Sequence, residues 1–241
     1  MEVLAVLGMT TILMSLMLPA LGRARDAGVR ALCLSRLRGV GVLMHAYAGD
    51  SRDAFPYAGD DHAYVEIHPG SGHRWGRGGR GGLKGGAWAT MLPDLWESPS
   101  RVGKALMCPK QPPWRMEARQ GIDPDHWPLP KYAMSAALWL DAGRMRPGVE
   151  YEDQRPRANM LSDVQFPSSK VMMFEHALAC WKGPYDTWYQ FGLPPPRAWS
   201  AVVAADGSGS RRIREDDLPG YDGPHSVWNY TLDGVRGRDF R

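Results

Sequence analysis

The chain has 241 residues, 44% of them apolar and 23% charged, enough to bury the core of one anchored globular domain. Ten Trp, nine Tyr and five Phe argue against disorder, and a formal net charge of +3 is too small to imply a nucleic-acid partner. Its three cysteines, Cys33, Cys108 and Cys180, allow at most one intrachain disulfide and lack C-x-x-C spacing, which argues against a disulfide scaffold and a zinc site.

The first element is an uncharged run of 20 residues, Val3 to Gly22. As a helix it spans about 30 Å, the thickness of a bilayer core. Only Met1 and Glu2 precede it, so the basic n-region of a secretory signal is absent and a retained anchor is the expectation. Glu2 is the one charged side chain before Arg23, and a carboxylate at the head of a span needs a partner. Arg23, Arg25 and Arg30 follow the span, and by the positive-inside rule alone they would hold that end in the cytoplasm.

Beyond Gly22 the helical pattern continues. Val29, Cys33, Leu37, Val40, Met44 and Tyr47 recur at spacings of three and four, drawing an apolar stripe with Arg23, Arg30 and Arg38 largely off it. Pro19 should kink this helix rather than end it, and Gly49-Asp50-Ser51 is the first stop signal. The whole helix would be about 70 Å long, half in lipid and half lying on a domain.

Residues Ala58 to Gly86 read as loop, with His62, His68 and His73 followed by a glycine- and arginine-rich run from Arg74 to Gly86. That run resembles an RNA-binding RGG segment, but a glycine-rich exposed loop is the preferred reading. Short apolar pieces then follow at Ala87–Leu95, Ala105–Cys108, Tyr132–Leu140, Lys170–His176 and Trp199–Ala205, separated by proline-rich connectors. Val171 to Phe174 and Ala201 to Ala204 read as buried strands. One long helix followed by few, short, widely spaced strands predicts an α+β fold with a small, mainly antiparallel sheet and long loops. Residues 1–22 would be the membrane half of the helix, 23–50 its amphipathic half, and 51–241 the globular domain.

Several stretches carry a resemblance. They are Leu18-Pro-Ala-Leu-Gly-Arg-Ala-Arg, Cys33-Leu-Ser-Arg-Leu-Arg-Gly-Val-Gly, Ala46-Tyr-Ala-Gly-Asp and Phe55-Pro56, then Met107-Cys-Pro, Tyr132-Ala-Met-Ser, Phe166-Pro-Ser with Phe174-Glu175, and Val203-Ala-Ala-Asp-Gly-Ser. The terminal Tyr230-Thr-Leu-Asp-Gly-Val-Arg-Gly-Arg-Asp belongs with them. Together and in this order they resemble the type IV pilin-like (pseudopilin) proteins with a prepilin-type cleavage and methylation segment, above all the type II secretion G-like group abundant in planctomycetes.

The resemblance implies a pilin-like fold and a single-pass protein of the bacterial inner membrane, its domain in the periplasm or on the cell surface. It implies a structural subunit of a type II secretion or type IV pilus-like assembly, with the membrane, other pilin-like subunits and the assembly machinery as partners. Glu2 matches the glutamate that pairs, in the family, with a neighbouring subunit's N-terminal amine. The basic leader, its cleavage point and the methylated first residue do not precede Glu2 here, so the start is expected to be misplaced or trimmed, or the chain not to be processed normally. A basic leader would outcompete Arg23 and Arg25 and resolve the orientation. Where many relatives carry a His ten residues before the Asp-Gly of the C-terminal strand, this chain has Pro196.

In an oxidising periplasm, Cys33 and Cys108 would either form a disulfide tying the helix to the domain or remain two buried thiols, with Cys180 unpaired. Glu175, His176, Asp206, His225 and Asp233 would have to converge to make a metal site, and Asp216, Asp217 and Asp222 would suit calcium. The competing reading, which is preferred, is that Asp206-Gly207 and Asp233-Gly234 are turns, so neither metal nor cofactor is expected. No G-x-S-x-G, H-E-x-x-H or phosphate loop is present, and an enzyme is not expected. The alternative to a filament subunit is an envelope-anchored ligand- or carbohydrate-binding protein, with Trp75, Trp88, Trp96, Trp114 and Trp188 as candidate platforms.

Overall fold

The computed structural model describes residues 2–56, 65–66, 74–75, 132–148, 157–175, 199–213, 216–220, 228 and 231–241. A single helix, α1, runs from Glu2 to Asp50 and carries Pro19 in its interior. Proline removes one bond from the helical ladder, and here the helix continues on both sides of the gap. It ends where the backbone turns left-handed at Arg52 (φ 54°) and Asp53 (φ 70°). The Asp53 N–H reaches back to the Ala48 carbonyl at 2.7 Å, satisfying one of the acceptors that every helix end leaves open. Asp53 then anchors the exit. Its carbonyl accepts the Leu161 N–H at 2.8 Å and its carboxylate the Ser162 N–H at 2.9 Å.

Among the described residues, four strands form one antiparallel sheet in the order β3 (Tyr132–Met134), β4 (Val171–Glu175), β5 (Trp199–Ala204), β6 (Gly209–Ile213). Tyr132 faces Glu175 across β3–β4, Phe174 faces Val202 across β4–β5, and Val202 faces Ser210 across β5–β6. The anticipated strands Val171–Phe174 and Ala201–Ala204 are thus the two central ones. All five β4 residues are buried. The β4–β5 register shifts between Val171 and Met173, which leaves Met172 as the extra residue of a bulge. The bulge breaks the alternation of faces. Met172 and Met173 both join the main core with the helix, while Val171 and Phe174 join a second cluster with Val202, Trp228 and Phe240.

The sheet is therefore covered twice. Helix α1 packs on β4, β5 and β6 through buried Cys33, Leu37, Val40, Gly41, Met44 and Ala48. The second cluster brings in Trp228 and Phe240 from the C-terminal segment. The stripe read from spacing is corrected at its ends: Val29 and Tyr47 are half-buried, whereas Gly41 and Ala48 carry the contact. Small residues sit in the seam because they let the helix backbone approach the strands.

Two strands depart from expectation. Residues Val65–Glu66 (β1) and Arg74–Trp75 (β2) form a short antiparallel pair within the segment read as loop. Strand β6 was not anticipated, because Gly-Ser-Arg-Arg-Ile is an edge strand of partly exposed residues without an apolar run. The expected pieces Ala87–Leu95 and Ala105–Cys108, and most of the glycine- and arginine-rich run, lie outside the described residues.

Candidate functional site

The first half of α1 is a bare apolar surface. From Val3 to Leu21 its large apolar side chains are 57–72% exposed. The helix is long and apolar enough to cross a membrane, and its most apolar window buries nothing inside the molecule. Its few polar side chains are satisfied within the helix. Thr10 Oγ1 donates to the Leu7 carbonyl at 3.0 Å, Ser15 Oγ to Ile12 at 2.7 Å, and Thr11 Oγ1 to Leu7. A helix that satisfies its own hydroxyls can enter a medium that offers no hydrogen bonds. Glu2 begins the helix, but its side chain lies outside the described residues.

The second half of α1 is fastened rather than merely packed. Cys33 is buried and disulfide-bonded. The chain's other cysteines, Cys108 and Cys180, lie outside the described residues. Tyr132 Oη donates to the Cys33 carbonyl at 3.2 Å from the edge strand, and Arg38 Nη2 donates to the Gly209 carbonyl at 2.7 Å from above β6. The face turned away from the sheet stays partly apolar: Leu32 is 44% exposed, Val42 68% and Leu43 36%.

On the opposite side of the sheet the C-terminal segment is held by a buried polar cluster. Lys170 and Asp239 are fully buried, with Nζ 3.3 Å from Oδ2. Asp239 Oδ2 also accepts the Val171 N–H at 2.7 Å, and Oδ1 accepts the Thr231 hydroxyl. Burial pushes the Lys170 ammonium below its usual range and the Asp239 carboxyl above its own. Asp217, which bridges the Phe240 backbone, is pushed up to about 7, first by burial and then by the Asp239 charge. The Trp228 indole N–H lies near enough to favour the charged form of Asp217, yet outside hydrogen-bond geometry. Sequence reasoning missed Lys170, Thr231 and Asp239. The available signal was a lysine directly before a strand of uninterrupted apolar residues.

Beside this cluster opens a cleft of about 560 Å3 lined by Arg146, Phe166, Leu218, Asp233, Arg236 and Arg238, among others. Arg146 pairs with Asp233 at 3.0 Å, and the Arg238 guanidinium stacks 4.0 Å over the Phe166 ring.

Among the described residues, the acidic side chains considered for a metal do not gather into a group of three. Glu175 is buried at the end of β4 beside Tyr132. Asp206 caps the β5–β6 turn by accepting the Ser208 N–H at 2.8 Å, with Gly207 at φ 83°. Asp233 takes the left-handed conformation before the last 3-10 turn, with Gly234 at φ 57°. Both Asp-Gly pairs are turns, as their composition predicted. No group of three potential ligands stands together among the described residues, and His176, His225 and Asp222 lie outside them. The candidate platforms Trp88, Trp96, Trp114 and Trp188 also lie outside, while Trp75 belongs to β2. No protein-family model, curated protein or solved structure matches the chain.

Proposed function

We propose that this chain is a membrane-anchored, pseudopilin-like structural subunit of a type II secretion or type IV pilus-like assembly. The observation that carries the reading is the division of α1. Its first half exposes apolar side chains along its length, and its second half lies across an antiparallel sheet. The bare half is anchored in the inner membrane with the globular domain on the periplasmic side, and in the assembled state it packs against the same half of neighbouring subunits. Leu32, Val42 and Leu43 favour assembly over simple anchoring, because they extend the apolar surface past Arg23 and Arg25 onto the helix face away from the sheet. Cys108 is the proposed partner of Cys33, in keeping with an oxidising compartment.

Glu2 is the proposed assembly residue. A carboxylate entering an apolar bundle is costly unless a cation meets it, and a neighbour's N-terminal ammonium supplies one. The test is Glu2→Gln in a form expressed behind a basic prepilin leader. Crosslinking between subunits in membranes should fall while membrane insertion and domain stability stay unchanged. Equal crosslinking in both proteins would reject the assembly role.

The arginine-lined cleft favours a second reading, an envelope-anchored protein that binds an anionic ligand and has no filament role. That protein would lose nothing on Glu2→Gln.

A further inference from the structure

The contact between Lys170 and Asp239 holds an amine against a carboxyl group in a site closed to water. Both side chains are wholly removed from water. Lys170 Nζ stands 3.4 Å from Oδ1 and 3.3 Å from Oδ2, nearly equidistant, so it faces the carboxyl group as a whole and not one oxygen. The two oxygens are held differently. Oδ2 accepts a backbone N–H from Val171 at 2.7 Å, and Oδ1 accepts the hydroxyl of Thr231, whose oxygen also accepts from Lys170 Nζ. Phe240, Trp228, Val171 and Val202 pack together in the apolar cluster beside them.

Keeping a bare ammonium and carboxylate in such a place is expensive, since each ion loses several kcal/mol of hydration. Burial favours the neutral amine and the neutral acid instead. A neutral amine is a nucleophile, and a neutral carboxylic acid held against it is an acceptor. Proximity of this kind replaces a bimolecular encounter by a local step.

We infer that Lys170 and Asp239 become joined by an intramolecular isopeptide bond between Nζ and Cγ. The Nζ lone pair attacks Cγ of protonated Asp239, and the charge that develops on Oδ2 is held by the Val171 N–H. One proton leaves Nζ and passes through the Thr231 hydroxyl to Oδ1. Oδ1, already carrying the acid proton, departs as water. One C–N bond forms, one C–O bond breaks, and no oxidant or other reactant is needed. Burial, the largest cause of its raised pKa, also favours the neutral form of Asp217 beside the developing oxyanion. The amide product removes two buried ionisable groups at once. It also closes a loop between positions 69 apart, locking the C-terminal segment to the start of β4, one of the strands on which α1 rests.

Intact-mass measurement of the purified full chain, denatured and reduced, tests this directly. The wild-type mass should lie about 18 Da (one water) below the mass of the sequence, and fragmentation should find a branched peptide joining Lys170 to Asp239. Lys170→Arg, which keeps a cation but offers no amine, should show the full mass. Asp239→Asn should lose about 17 Da, because ammonia replaces water as the leaving group. Should either variant fail to fold, the wild-type measurement still decides. A folded wild-type chain at full mass after prolonged incubation near neutral pH would overturn the inference, and so would a water loss mapped to any other pair.

Discussion

A Cβ placed on Gly41 would stand 2.8 Å from Cγ1 of Val203, inside the closest approach two such carbons tolerate. Helix α1 thus meets β5 at a point where no side chain fits, and the valine below is β-branched and stiff. Two residues earlier, Gly39 faces open space, with nothing within 4 Å of an added Cβ.

The two glycines should therefore respond in opposite directions. Gly39→Ala should stabilise the domain by up to about 1 kcal/mol, the helix-propensity gain of alanine over glycine. Gly41→Val should destabilise it by about 1–3 kcal/mol through overpacking. Thermal or urea unfolding of the two variants checks this, and equal stability of both would refute the close approach.

Removing residues 3–21 should leave a soluble, folded domain. None of the large apolar side chains in that stretch is buried, so the core loses no contact with it. Circular dichroism and a cooperative thermal transition in detergent-free buffer would verify it. An unfolded product would mean that the bare half of the helix supports the domain after all.

Tyr132→Phe should cost about 1 kcal/mol, the net value of one hydrogen bond, because the phenol links β3 to the Cys33 carbonyl. Leu37→Ala, by contrast, empties a fully buried position under the helix and should cost about 2–5 kcal/mol. Comparing the two by urea denaturation separates the polar tie from the apolar seat.

Asp217 sets a pH dependence with a definite sign. Its folded pKa, about 7, lies above the ordinary value of 3.8, so between these limits the folded state holds a proton that the unfolded chain has released. The stabilisation is complete below the lower limit and fades as pH rises through the upper one, at up to about 1.4 kcal/mol per pH unit. Asp217→Asn should flatten this slope and raise stability above pH 7 relative to the wild type. Asp53 acts in the opposite sense in a lower window: its hydrogen bonds with Ser162 hold its pKa below 3.8, so its contribution is lost only as pH falls beneath that value. Stability curves from pH 3 to 8 for the wild type and Asp217→Asn would resolve the two effects.

The long helix, its stop after Asp50, the buried strands around Val171–Phe174 and Ala201–Ala204, and the two Asp-Gly turns were all legible in the residues. Each rests on local chemistry: an uncharged run, a spacing of three and four, a Gly-Asp-Ser stop, or an Asp-Gly dipeptide suited to a turn. What needed the tertiary structure were relations between residues far apart in the chain. The bulge at Met172 turns two neighbouring methionines to one face, and no residue pattern announces it. Gly41 reads as a weak helix former until Val203 is seen beneath it. Lys170, Thr231 and Asp239 look like surface residues in sequence, since a buried charge makes physical sense only once its partner stands beside it. Partners 61 and 69 positions away are set by the fold of the C-terminal segment over the sheet, not by any spacing along the chain.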